Sequence, residues 1–398
     1  MLEKVLADTI KIGSLTVKYA SGETERYGEG PPHAVWAIND RSIIRRLIRN
    51  PWFELGQTYM EGAWDAPKGL APLLEVFLRN IPEETPGSIV TTLKRQLEQA
   101  NSVHRSKRHI AQHYDLDESL FRIFLDREMH YSCAYFQNPK SSLEDAQLAK
   151  CELILRKLSP PPGGRILDIG CGWGGLALYL AAHLDCQVTG LTLSREQHRV
   201  AQARARERGL SHRVEFRLED YREHQGLYDR VVSVGMFEHV GVPYYEAFFT
   251  RMRDNLRPQG QALLHHIGRS GAPGLTNPWI RHYIFPGGYN PALSEVVPVI
   301  EKTGLKIADI EVLKFHYQYT LREWQKRFQA RRAEVVRRWD ESFARMWEFY
   351  LAACEVAFGI GDLVVFHIQI VRSLEGLPMT RDSWYRERKT EDGLAEQA

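Results

Sequence analysis

Between Leu167 and Gly175 the chain reads Leu-Asp-Ile-Gly-Cys-Gly-Trp-Gly-Gly. An apolar stretch precedes this segment and a helical pattern follows it, so it reads as a strand–loop–helix turn. Glycine lets a backbone turn sharply and approach a ligand closely. The segment lacks the full dinucleotide fingerprint. It also lacks the Gly-Lys-Ser/Thr of a triphosphate loop, so nothing here is offered to phosphates. Asp168 stands where an acid can meet an ammonium. Together these features suit a nucleoside amino acid, S-adenosylmethionine; the plainer reading is a tight turn without a ligand.

A second set is polar and scattered. Glu238, His265, Ile267 and Tyr317 fall at or just past the carboxyl ends of predicted strands, where open parallel sheets bind ligands. Each has a duller reading. Glu238 could cap or pair locally, and His265 could be a satisfied core group. Tyr317 belongs to an aromatic run with Phe315 and Tyr319, for which core packing is a serious rival. Nothing beside Cys133 in sequence would lower a thiol pKa. Cys354 lies in an apolar stripe with Trp339, Phe343, Met346, Trp347, Tyr350 and Phe358. Its three- and four-residue spacing makes it a core or tunnel-lining residue before a catalytic one.

These residues need a sheet to hold them. From Glu144 onward, helical patterns alternate with apolar strands predicted at Arg165–Ile169, Gln187–Leu193, Val214–Glu219, Tyr228–Val234, Gln261–Ile267, Lys306–Phe315 and Leu363–Val371. Such alternation implies an α/β domain whose mostly parallel sheet is covered on both faces. Upstream, Ile10–Arg26 reads as strands about a Ser21-Gly22 turn, and Leu70–Asn80 as a helix. The Pro- and charge-rich stretch from Ile81 to Arg108 reads as a connector. The expected organisation is a small α+β N-terminal domain over 1–95, a helical linker over 96–110 and a catalytic domain over 111–398.

With 398 residues, 43% of them hydrophobic, the chain can bury a sizeable core, and its net charge of +2 argues against a dedicated nucleic-acid binder. Positive charge gathers in Thr92–His109 and Arg322–Arg338. Solvated helix faces are the bland reading, anionic headgroups the functional one. The five cysteines contain no CxxC pair, so neither a disulfide framework nor a metal site is expected, and a reducing cytoplasm fits. The first residues lack a signal-peptide layout, and no apolar run approaches the ~20 residues of a membrane span.

Several blocks resemble the cyclopropane-fatty-acid synthase family. They are Leu167–Leu176, Tyr131-Ser132-Cys133-Ala134-Tyr135, Val234-Gly235-Met236-Phe237-Glu238-His239-Val240-Gly241 and Leu264-His265-His266-Ile267-Gly268. His113-Tyr114-Asp115, Asn277-Pro278-Trp279-Ile280 and Tyr283-Ile284-Phe285-Pro286-Gly287-Gly288 belong with them. The likeness runs from about His109 to the C-terminus. It is looser in Phe53-Glu54-Leu55-Gly56 and Tyr59-Met60-Glu61-Gly62-Ala63-Trp64-Asp65, which resemble the extra domain of longer bacterial members, associated with dimers and phospholipid substrates.

The resemblance implies a Rossmann-like class I methyltransferase fold with a seven-stranded sheet, and cofactor contacts residue by residue. Tyr131 and Ser132 would line the methionine end, and Gly170, Gly172 and Gly174 would form the loop under the nucleoside. Thr192, Leu193 and Gln197 would replace the usual ribose acid, and Asp220 and Tyr221 would edge the adenine. It also implies a bicarbonate ion as base. His265, Tyr317 and backbone N–H groups near Cys133 and Ile267 would donate to the ion, and Glu238 would accept its proton. The implied substrate is an unsaturated phospholipid acyl chain, reached by a homodimer working peripherally at the inner face of the cell membrane. The remaining readings are a lipid methyltransferase giving a methyl-branched or methylene chain, a silent lipid-binding module, and methylation of a soluble small molecule.

Overall fold

The computed structural model describes residues 2–81, 118–375 and 377–385. The expected domain boundary near 95, the 96–110 linker, the Thr92–His109 basic run and His113–Asp115 lie outside them.

The N-terminal unit holds a four-stranded sheet of β1 (Gly13–Tyr19), β2 (Thr24–Glu29), β3 (His33–Ile38) and β4 (Trp64–Asp65), in the order β2-β1-β3-β4. The β1–β2 hairpin turns at the expected place, with Gly22 at φ +88°, a conformation that costs a glycine little. Helix Leu70–Arg79 closes the unit's core against Trp36 and Trp64.

The second unit holds β5 (Gly164–Ile169), β6 (Cys186–Thr192), β7 (Val214–Leu218), β8 (Tyr228–Val234), β9 (Leu256–Arg269), β10 (Lys306–Leu313) and β11 (Leu363–Val371). Their order is β10-β11-β9-β8-β5-β6-β7. Only β11 runs antiparallel to its neighbours. The inner strands β5 and β8 are buried over most of their length because helices cover both faces. Chain order reverses between β5 and β8, and the carboxyl ends there open the crevice in which such sheets hold ligands.

All seven expected strands are present, with two differences that bear on the site. Strand β10 stops at Leu313, not Phe315; Phe315 caps helix His316–Ala330, so Tyr317 stands in that helix's first turn. Strand β9 extends to Arg269, which places His265 inside the strand and not at its end.

The two units meet along helix Glu341–Gly359, which carries most of the predicted apolar stripe. Tyr59 donates to Glu348 at 3.2 Å, and Arg345 donates to the Trp64 carbonyl at 2.6 Å and to Asp65 at 2.8 Å. A Cβ on Gly56 would lie 2.7 Å from the Trp279 ring, so this contact requires a glycine.

The Arg322–Arg338 segment is a largely solvated face whose cations are mostly ion-paired, as the bland reading of its charge has it. Arg322 pairs with Glu355, Lys326 with Glu323, Arg327 with Glu144, Arg331 with Glu334, and Arg332 with Glu341 and Glu348. Exposed Arg337 and Arg338 remain, the latter lying over Trp339.

Candidate active site

A cavity opens at the carboxyl ends of β5, β6 and β8. The β5 loop forms its floor, and its three alternate glycines do different work. Gly170, at φ +83°, leaves room for Met236: a Cβ would lie 2.7 Å from that side chain. Gly172, at φ +52°, lines the cavity, and a Cβ there would meet no atom within 4 Å. Gly174 does not line it. It caps helix Gly175–His183, and a Cβ would strike Phe216 at 2.8 Å, so its requirement is close helix–strand packing.

Asp168 is fully buried at the end of β5, and its Oδ2 has no partner among the described residues. Burial pushes its carboxyl up to about 7, against the pull of His130 and Lys150. A buried orphan carboxylate oxygen costs free energy unless a ligand donor meets it, and an amino-acid ammonium would. Across the cavity lie Tyr131 and Ser132. The Tyr131 ring stacks on Trp324 at 5.3 Å and its hydroxyl meets that of Tyr350 at 2.8 Å. The Ser132 hydroxyl accepts from Lys150 at 3.0 Å.

On the β6 side, Thr192, Leu193 and Gln197 line the cavity, with Thr192 donating to Gln197 at 2.9 Å. Tyr221 lines it too, set edge-on to Phe248. Asp220 does not. Its carboxylate is held by Arg222 at 2.7 and 2.9 Å, and its neighbours Glu219, Tyr221 and Arg222 reach the cavity. Lys150, His130 and Arg222 were not legible in the sequence. Lys150 sits on a helical pattern with nothing to separate it from a surface lysine, yet it is buried and donates to Gln147 at 2.7 Å as well.

Beside the cavity a second cluster forms. Glu238 lies on the short helix Phe237–His239 after β8 and is buried. Its Oε1 accepts from the Ile267 N–H at 2.6 Å, while Oε2 has no partner among the described residues. Burial pushes its carboxyl up to about 7, opposed by the Ile267 N–H. Tyr317 is edge-on to Trp324, and burial lifts its hydroxyl well above the ordinary range, with Tyr131, Cys133, Glu238 and Cys354 adding their fields. The sheet and helix His316–Ala330 therefore bring Glu238, Ile267, Tyr317, Cys133 and Cys354 together. Among the described residues, neither the Tyr317 hydroxyl nor the Cys133 N–H has a protein partner. Both thiols are raised by burial, that of Cys354 to about 12, so neither is a thiolate at neutral pH. His265 stands two residues before Ile267 on β9, its Nδ1 2.7 Å from Nε2 of His367.

An unpartnered acid and an open glycine at this switch point define the class: an S-adenosylmethionine-dependent methyltransferase of the class I fold. Coclaurine N-methyltransferase, 21% identical, shares that fold with a TM-score of 0.68 over 80% of this chain and 99% of its own.

Residues 101–368 match the family described as mycolic acid cyclopropane synthetase, and residues 1–81 match a domain of unknown function, DUF7884. The cyclopropane-fatty-acyl-phospholipid synthase of Escherichia coli (strain K12) is 36% identical over 348 residues, 86% of this chain and 90% of the relative. The tuberculostearic acid methyltransferase UfaA1 of Mycobacterium tuberculosis is 36% identical over 382 residues, 92% of this chain and 88% of its own. The cyclopropane synthase MmaA2 from Mycobacterium tuberculosis, 34% identical, superposes with a TM-score of 0.63 over 66% of this chain and 97% of that one. The chain belongs to the mycolic acid cyclopropane synthetase family and is an S-adenosylmethionine-dependent methyltransferase acting on a lipid.

Proposed function

We propose that this enzyme methylates the cis double bond of an unsaturated acyl chain in a membrane phospholipid and then removes a proton to close a cyclopropane ring. The observation that carries the reading is the cluster of Glu238, Tyr317, Cys133 and Ile267, which joins the cofactor cavity to a wall of aromatic side chains. S-adenosylmethionine supplies an electrophilic methyl. Tyr131, Ser132, Asp168, Gly170, Gly172, Thr192, Leu193, Gln197 and Tyr221, which line the cavity, would hold it. An alkene is a weak nucleophile, so the enzyme must align the two reactants and exclude water. Trp324 and Phe358 pack against Tyr317 and give that residue apolar surroundings.

Attack on the methyl leaves a cation on the neighbouring acyl carbon. Loss of a proton from the new methyl group, with its C–H electron pair forming the second carbon–carbon bond, closes the ring. Bound bicarbonate would supply the base. On this reading the uncommitted Tyr317 hydroxyl and the Cys133 N–H would donate to the ion, the outer nitrogen of His265 would be a third donor, and Glu238 Oε2 would accept its O–H. One observation favours a second reading, in which Glu238 is itself the base. The Ile267 N–H expected to hold the ion already donates to Glu238, whose carboxyl is poised near neutrality.

Mass spectrometry of lipids from cells making the protein tests the reaction. A gain of one CH2, with loss of alkene-specific chemistry in the same acyl chains, is expected. A methyl-branched or methylene product would move the enzyme to the neighbouring reaction class.

The lipid must be met at a membrane surface. No helix among the described residues is long and apolar enough to cross a membrane. The enzyme on this reading works in the cytoplasm as a peripheral homodimer at the inner membrane face, the N-terminal unit contributing to dimer or lipid contact. Because most of the 322–338 cations are paired, Arg337 and Arg338 become the contact to test. Binding to anionic vesicles should weaken as salt screens it over about 8–10 Å, and replacing both arginines by Gln should weaken it by up to roughly thirtyfold, at about 1 kcal/mol for each charge. Equal binding to neutral and anionic vesicles at every salt concentration would remove the electrostatic contact.

A further inference from the structure

A row of polar side chains crosses three strands beneath the reacting site. In register, Glu311 of β10 lies opposite His367 of β11, and His367 lies opposite His265 of β9. Directly paired residues project from the same face of a sheet. Lys157, from helix Leu143–Leu158, reaches down onto this row. Its Nζ is hydrogen-bonded to Glu311 and lies 3.1 Å from Nδ1 of His367, whose Nε2 is 2.7 Å from Nδ1 of His265. The lysine side chain is fully buried, whereas Glu311 is partly exposed and accepts from the Tyr385 hydroxyl at 2.6 Å. Two turns earlier on the same helix, buried Lys150 reaches Ser132 in the cofactor cavity.

Donor and acceptor arithmetic fixes the protons along this row. An ammonium has three N–H groups and no lone pair, so it can only donate. Donating to Glu311 and to Nδ1 of His367, Lys157 makes that nitrogen an acceptor. A neutral His367 then carries its proton on Nε2 and donates it to Nδ1 of His265. A neutral His265 must therefore carry its own proton on Nε2. That atom has no partner among the described residues and lies across the ring from the His367 bond. On its other side His265 is paired with Val234, and Val234 and Gly235 line the cofactor cavity.

We propose that Lys157, His367 and Glu311 are positioning residues that lock His265 in the Nε2–H tautomer, so that it presents a hydrogen-bond donor to the reacting site. The functional half of this inference rests on the reading of His265 as a donor to the base; the tautomer itself does not. Burial holds both imidazoles well below their ordinary pKa, so the row works with neutral rings. His367 is faced by Lys157, His265, His316 and Lys150, and His265 by Lys150, His266 and Lys157, so cations surround both. Lys157 is lowered by burial, opposed by Glu311 and Asp309, with Arg381 also facing it and lowering it. Without Lys157 as a charged donor, nothing fixes the direction of the two histidine bonds. The reversed arrangement would turn a lone pair toward the site.

Long-range nitrogen–proton NMR spectra of the full chain, labelled at histidine and free of lipid, read the tautomer directly. The His265 signal is assigned by its absence in His265→Gln. The wild type is expected to show Nε2–H, and Lys157→Met to lose that single tautomer. Methyl transfer by Lys157→Met should lose about 10–100-fold in kcat, by analogy with groups that orient a metal-ligating histidine, with unchanged cofactor affinity. Glu311→Gln keeps the lysine but removes the carboxylate that raises its pKa, so the alkaline limb of its pH–rate profile should move to lower pH. A wild-type Nδ1–H tautomer, or the same tautomer in Lys157→Met, overturns the proposal. So does a changed tautomer with undiminished kcat. Absence of lipid turnover in the wild type, with the expected tautomer switch intact, would instead fault the substrate reading.

Discussion

Glu238→Gln is expected to lower kcat about 10²–10³-fold, the loss typical of removing a preorganised electrostatic group at a reacting centre, while leaving S-adenosylmethionine affinity unchanged. The substitution keeps the oxygen that accepts from the Ile267 N–H and loses only the charge and the basic Oε2. Glu238 does not line the cofactor cavity, so binding there should not respond. Its carboxyl titrates at about 7, and the ionised form is the active one on both readings of the base. At saturating cofactor, kcat should therefore fall as pH drops through about 7 in the wild type, and this limb should vanish in the variant. Carbonate-free buffer separates the readings. A wild-type rate that falls on depletion and recovers on addition supports a bound bicarbonate, and full speed in thoroughly depleted enzyme makes Glu238 the base. A Gln variant with near-normal kcat would sink both.

Gly172→Leu should abolish cofactor binding, weakening it by two orders of magnitude or more by calorimetry. At φ +52° any L side chain carries strain of roughly 1–2 kcal/mol, which Gly172→Ala also carries. The two differ in volume. With no protein atom within 4 Å of the new Cβ, the leucine side chain would extend into the cavity, not into the core. Alanine should retain most of the affinity, and both variants should lose similar thermal stability without cofactor. Undiminished affinity in Gly172→Leu would remove the loop from the site. The neighbouring glycines make poor tests, because side chains at 170 and 174 would collide with Met236 and Phe216 and report on folding.

The strands and the glycine loop were legible in the sequence because each is a local signal. Apolar runs between helical stretches mark buried strands, and glycines behind an acid mark a turn that approaches a ligand. The rule for parallel sheets pointed to the edge where Glu238 stands just past β8, whereas His265 lies inside β9 and Tyr317 in the first turn of a helix. Local pattern could not say that Asp220 is tied to Arg222, that Gly174 serves packing, or that the Arg322–Arg332 cations are met by carboxylates as distant as Glu144 and Glu355. Nor could it find the row of Lys157, His265, Glu311 and His367, whose members stand up to 210 positions apart. Strand order and register bring them together, and those are set by burial across the whole sheet. The composition of the site was thus written locally, whereas the direction in which its histidine presents a proton is decided only when β9, β10 and β11 lie side by side.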